Sequence, residues 1–263
     1  MTDDCNSSQI YEYKFILGEI SYTVKDSNEL GLIFEMLAGD KEISPILHWN
    51  IIMELDENLI NIIKSYKGLI NCLKYLNEKN SFLLLVKISD ELPNIVQDAR
   101  ELGEILARIY EENNKLRLIR QMRNKGLTRL ITSSQDLLNI MEWVYDCAEK
   151  ETLEILGPET IRGLFIYPQD IYNVLHYLNK ENKDYLIELI GLNEISKKIK
   201  SWQDFLLLLK GMSYIKVKQF LSLYSRHQIK DFFKNDREFK YFLMKLSDKK
   251  EELFLEYLGI NKK

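Results

Sequence analysis

The sequence predicts an all-α fold: a right-handed α-solenoid, or superhelix, of about seven helical repeats of ~34 residues each. Three observations predict it. An apolar signature opens at Leu30, Leu69, Leu102, Leu137, Ile171, Phe205 and Phe239, with successive spacings of 39, 33, 35, 34, 34 and 34. Each opening residue is followed by apolar residues at +3, +4 and +7, as in Leu102, Ile105, Leu106 and Ile109. That spacing lines one face of an α-helix and fits no strand. Four residues before each opening stands a helix-start signal. Ser201 with Asp204 is the pattern, a serine N-cap and an acid three residues on, each accepting the other's backbone N–H. Asp26/Glu29, Asp98/Glu101, Ser133/Asp136 and Asn235/Glu238 repeat the frame, and Ser65/Gly68 and Tyr167/Asp170 keep half of it.

In chain order, residues 1–23 form an N-terminal capping segment and residues 24–263 the helical-repeat domain. The repeats run over 24–63, 64–96, 97–131, 132–165, 166–199, 200–233 and 234–263. Partial alternation between Ile10 and Val24, around Leu17-Gly18-Glu19, suits either a short β-hairpin or a capping helix. The first repeat is stretched, and its extra residues fall between Ala38 and Trp49, near Pro45. Each later unit has a polar break such as Asn179-Lys180-Glu181-Asn182, then a second apolar helix such as Tyr185 to Ile190. Gly157, Gly191 and Gly259 end such helices, where a positive φ is needed. A short third segment closes the unit, as at Leu92/Ile95/Val96, Leu127/Leu130/Ile131, Ile161/Leu164/Phe165, Ile195/Ile199 and Ile229/Phe232/Phe233. Tetratricopeptide repeats share the length but need small residues where their helices cross; Leu, Ile and Phe stand there instead.

With four prolines and eleven glycines, the chain has no linker-like stretch, so the repeats read as one continuous domain. No run approaches the 18 or so apolar residues of a membrane span, and no basic-then-apolar leader opens the chain. Cys5, Cys72 and Cys147 are odd in number and widely spaced, and Cys72 holds a core position, which points to a buried free thiol in a reducing compartment. Charge is uneven. The whole chain carries −4, while residues 1–63 hold 12 acids against three lysines. Between Lys115 and Arg129 the pattern reverses: Lys115, Arg117, Arg120, Arg123, Lys125 and Arg129 occur with no acid among them. These six residues are the candidate partner-binding basic patch.

The residues that carry chemistry are scarce. His48, His176 and His227 fall in different repeats, away from any cysteine or carboxylate at metal-ligand spacing. No glycine loop follows a strand, and each Ser-x-x-Asp is accounted for by helix capping. No catalytic, cofactor-binding or metal-binding residue is nominated. Trp202 sits between cap and acid, a place held elsewhere by Tyr66 and Pro168, and suits a lid on the preceding repeat.

Units such as Ser133-Ser-Gln-Asp-Leu-Leu-Asn-Ile-Met, Pro168-Gln-Asp-Ile-Tyr-Asn-Val-Leu and Tyr185-Leu-Ile-Glu-Leu-Ile-Gly resemble α-helical repeats of secreted effectors of intracellular bacteria of the Legionella and Coxiella type. Glu251-Glu252-Leu-Phe-Leu-Glu256, with Ile260 near the end, resembles the acidic block of their type IV (Dot/Icm-like) secretion substrates. The resemblance implies a bacterial cytoplasmic protein delivered into the host cytosol, without a cleaved leader, that binds a host protein or another effector.

The function expected is therefore a non-catalytic protein–protein interaction scaffold, an adaptor or a regulator of another effector. Three alternatives rest on the same sequence: an RNA-binding helical repeat, an enzyme with a site assembled on the solenoid surface, and peripheral contact with acidic lipid through the basic patch. A sequence pI near 5.6 and the absence of a recurring pair of base-reading residues weigh against nucleic acid.

Overall fold

The computed structural model describes residues 12–122 and 126–260, which divide after Gly126 into two compact units. The caps set the helix starts. Asp26, Ser65, Asp98, Ser133, Ser201 and Asn235 each accept a backbone N–H from the first turn ahead of them. The acid three residues on does turn back, but to a different donor from the one the sequence suggests. Glu29, Glu101, Asp136, Asp204 and Glu238 accept the N–H of Lys25, Gln97, Thr132, Lys200 and Lys234, one residue before the cap, at 2.7–3.1 Å. Asp170 alone also takes the N–H of its own cap residue, Tyr167, at 2.9 Å. A carboxylate that bonds upstream of the cap fixes the corner where the chain enters the repeat, and its charge suits the helix N-terminus.

The first unit begins with strands β1 (Tyr13–Leu17) and β2 (Ile20–Val24), the only strands among the described residues. Of the two readings for this segment, the hairpin is the one observed; residues 1–11 lie outside the described residues. Gly18 has a φ of 64° at the first central position of a two-residue turn, where glycine is favoured. Phe15 stacks on its cross-strand partner Tyr22, and Phe15 and Val24 are fully buried, with β1 lying against the second helix. The helices follow as α1 (Ser27–Leu37), α2 (Ser44–Leu55), α3 (Leu59–Ile62), α4 (Tyr66–Leu73), α5 (Glu78–Lys87), α6 (Leu92–Ile95), α7 (Ala99–Leu106) and α8 (Glu112–Met122). A 3-10 turn, Asp56–Asn58, joins α2 to α3. The extra residues of the first repeat are the Ala38 to Ile43 connection, within the predicted stretch.

The second unit runs α9 (Leu127–Leu130), α10 (Ser134–Met141), α11 (Asp146–Leu164), α12 (Pro168–Tyr177), α13 (Lys180–Ile190), α14 (Leu192–Ser196), α15 (Trp202–Gly211), α16 (Tyr214–Leu221), α17 (Arg226–Asp231), α18 (Asp236–Lys245) and α19 (Asp248–Leu258). The segment α11 is two helices, broken at Gly157, whose φ is 69°, and restarted by Pro158. Gly191 and Gly259 likewise end their helices at φ of 88° and 71°.

Packing follows the repeat. In the first unit α1 lies on α4, and α2 on α5, which in turn meets α8. In the second, α10, α12, α15 and α18 form one series, while α11 packs on α13 and α16 on α19. Each of these contacts, within its unit, joins first helix to first or second to second. The apolar frame explains the contact faces. Among its positions only Leu37, Leu76, Phe239 and Leu243 are half-buried; the rest are buried. Phe205 is the clearest case, with its ring against Phe220, Tyr224, Phe232, Phe242 and Phe254.

Polar side chains complete these seams. Asn80 and Asn182 hold the same place in α5 and α13, both nearly buried. Asn80 donates to the Pro45 carbonyl at 2.7 Å, and Asn182 to the Asp146 carbonyl at 2.8 Å and to Glu149 at 2.7 Å. Lys250 at the start of α19 donates to the carbonyls of Leu209, Lys210 and Met212, closing the C-terminal end of α15. Burial, with the neighbouring Lys183 charge, holds its ammonium below the usual lysine range. Trp202, expected as a lid on the preceding repeat, packs edge-on against Tyr241 of the following one. Tyr66, in the same slot, also reaches forward, to Glu104 of α7.

Candidate partner-binding surfaces

The six residues of the basic patch do not share one exposed surface element. Lys115 is only 5% exposed, with Nζ 3.6 Å from Glu112. It belongs to the interior of the first unit, because the first turn of α8 presents that position inward. Arg117 is exposed, its guanidinium 5.2 Å from the centre of the Phe82 ring. Arg120 is exposed three residues further along α8. Arg129 is exposed on α9 in the second unit, and Arg123 and Lys125 lie outside the described residues.

The titratable groups have structural partners. His48 is buried, with Nε2 3.0 Å from the Phe34 carbonyl and Nδ1 3.4 Å from Ser44 Oγ. Burial holds its imidazole below the ordinary value, against a smaller upward push from the Phe34 bond. His176 is exposed on α12, and His227 is exposed beside Asp231 at 3.7 Å. Cys72 is buried and donates to the Ser27 carbonyl; burial, then the Asp26 charge, pushes its thiol up to about 12. Cys147 is exposed, and Cys5 lies outside the described residues. The Tyr66 hydroxyl is raised by burial and by its bond to Glu104, which is itself lowered by Tyr66 and by Arg100. Among the described residues, no group of three or more His, Cys, Asp or Glu side chains is placed to hold a metal, and no helix is long and apolar enough to cross a membrane.

Two surfaces stand out that the sequence pattern did not single out. The first is apolar and belongs to α2. Ile46, Trp49 and Met53 are 60%, 43% and 38% exposed and fall at i, i+3 and i+7 on one side of the helix. Pro45, Ile46 and Trp49 line a cavity of about 280 Å³ against Asn77, Lys79 and Asn80. Ile43, Leu32 and Met36 of the same repeat are also exposed. The helix is apolar on both sides, with Ile51, Ile52 and Leu55 buried opposite. The sequence therefore carries an apolar stripe beyond what the core requires, and it is masked there because α2 is apolar on both sides and shows no single-face periodicity.

The second surface is polar. The slots two residues before and two after the opening residue carry exposed Gln135 and half-buried Asn139 in α10, and exposed Gln169 and half-buried Asn173 in α12. Between these helices lies a groove of about 390 Å³ lined by Gln135, Leu138, Asn139, Glu142, Tyr172, Asn173, His176 and Tyr177. The same slots hold Lys67/Asn71, Arg100/Glu104, Gln203/Leu207 and Arg237/Tyr241 elsewhere. Comparison with protein-family models, with curated proteins and with solved structures finds no match to this chain.

Proposed function

We propose that the protein is a non-catalytic scaffold that binds other proteins, built as a right-handed α-solenoid of seven three-helix repeats. The observation that carries the reading is the apolar stripe of Ile46, Trp49 and Met53 on α2, exposed although the same helix already buries a full apolar side. A contiguous exposed apolar surface rimmed by polar groups is the usual mark of a protein-contact site. Asn77, Lys79 and Asn80 supply polar groups beside it. Support for the solenoid comes from the neighbour-to-neighbour packing of equivalent helices within each unit.

In this reading the chain is an adaptor, or a regulator of another effector, and its resemblance to secreted bacterial effectors supports delivery into a host cell. The function is tested by affinity purification from eukaryotic and bacterial lysates, with the I46D/W49D variant beside the wild type. A protein retained by the wild type at moderate salt and lost from the variant is the expected result. Identical recovery by both, or recovery of nucleic acid alone, contradicts it. Delivery is tested by fusing the chain to a translocation reporter and removing residues 251–263; an unchanged host-cell signal removes the acidic block from the account.

A further inference from the structure

In α10, Gln135 Nε2 donates to Asn139 Oδ1 at 3.2 Å. In α12, Gln169 Nε2 donates to Asn173 Oδ1 at 2.6 Å. Each bond uses one of the two glutamine N–H donors and one lone pair of the asparagine oxygen. The glutamine Oε1 and the asparagine Nδ2 lie outside that bond, so each pair can offer a ligand at least one acceptor and one donor. A peptide group offers the complementary set, one N–H and one C=O.

The spacing agrees with an extended ligand. The helices α10 and α12 pack directly on each other, and packed helices lie about 8–10 Å apart. An extended chain advances about 3.3 Å per residue, so neighbouring amide pairs match peptide groups about three residues apart. A helical ligand would have its main-chain groups already engaged and would leave the amides unpaired. A nucleobase could also bond an amide pair, but a polynucleotide brings a phosphate with every base and is held by Lys and Arg. The groove wall contains neither and includes the carboxylate of Glu142.

We infer that the groove between α10 and α12 binds an extended peptide segment crossing both helices. Its main chain pairs with the two Gln–Asn sets, a Lys or Arg faces Glu142, and an apolar side chain lies against Tyr172 and Tyr177. This deepens the scaffold reading and rests on it only in taking the ligand to be protein; the surface is separate from the stripe on α2.

The test is selection of a phage-displayed library of random linear twelve-residue peptides on the full chain, followed by affinity measurement with the synthetic winner. The variants are N139A/N173A and E142K, at exposed or half-exposed positions, each checked for unchanged thermal melting. Enriched peptides should carry Lys or Arg at a fixed distance from an apolar residue. Their affinity should fall at least about tenfold in N139A/N173A. Repeating the selection on the E142K chain should enrich Asp or Glu in place of the basic residue. Three results overturn the inference: no enriched sequence, enriched peptides bound equally by N139A/N173A, or a single-stranded twelve-nucleotide RNA whose binding that variant abolishes. If the selection fails while I46D/W49D still loses a protein partner, the groove assignment falls and the scaffold stands. If it succeeds while I46D/W49D retains every partner, the stripe on α2 is the part that falls.

Discussion

The first repeat and the repeats at α10 and α12 share one internal frame and present opposite surfaces. In both, the opening residue and its +3 and +4 companions are buried: Leu30, Ile33 and Phe34 in one, Leu137, Ile140 and Met141 or Ile171, Val174 and Leu175 in the other. Outside that frame, the first repeat exposes Leu32, Met36, Ile46, Trp49 and Met53. The later pair exposes Gln135 and Gln169, each bonded to a half-buried asparagine, Asn139 or Asn173, beside a groove with a carboxylate. The difference separates two jobs within one repeat. Frame positions are buried in both, whereas the remaining positions are free to differ, and they differ in chemistry.

Substitutions should obey that division. The largest effect is expected in the frame: Phe205→Ala removes a fully buried ring that touches five other aromatics and should cost about 3–5 kcal/mol in denaturant unfolding. Next comes the seam: Asn182→Ala leaves the Asp146 carbonyl and the buried Glu149 short of a donor and should cost about 1–3 kcal/mol. A cap is smaller, with Ser201→Ala expected near 1 kcal/mol in the same assay. The surface substitutions W49D and N139A/N173A should each stay within about 0.5 kcal/mol of the wild type while altering binding. A surface variant that melts like Phe205→Ala would collapse the distinction.

The first repeat also holds a buried histidine, and with it a pH signature near neutrality. Buried His48 has its proton affinity lowered on folding, whereas in the unfolded chain a histidine takes up a proton near pH 6.5. The unfolded state thus binds more protons below that pH. The His48 contribution is fully present above about pH 6.5 and is lost as pH falls toward the folded value. Melting temperatures at pH 7.5 and 5.5 should drop more for the wild type than for H48Q; equal drops would show that His48 does not govern this window.

Where burial dictates residue type, the fold was legible. The frame at Leu30 through Phe239, the caps, the short third segments and the helix-ending glycines all follow from side chains that must face inward or backbones that must turn. The hairpin was one of two readings because five-residue alternation is brief, and its choice depends on Phe15 and Val24 finding a buried face. Direction was not legible: an aromatic at the Trp202 slot signals packing, but nothing in its spacing says that Tyr241 lies ahead rather than behind. Within the basic patch, a run of like charges does not reveal which member faces inward, and Lys115 does. The Gln–Asn pairs carried a signal at the repeat's own lag, 34 residues, which appears only when polar slots are aligned as the apolar ones are.

The central claim is that each repeat depends on its neighbours alone. Excising residues 166–199, which joins Phe165 to Lys200 just before the Ser201 cap, tests it directly by circular dichroism and thermal melting. A stack of equivalent units predicts a shortened chain with unchanged helicity per residue and a cooperative transition. A protein without helical signal or without a cooperative transition would show that the repeats are held by contacts beyond their neighbours, and would contradict the account.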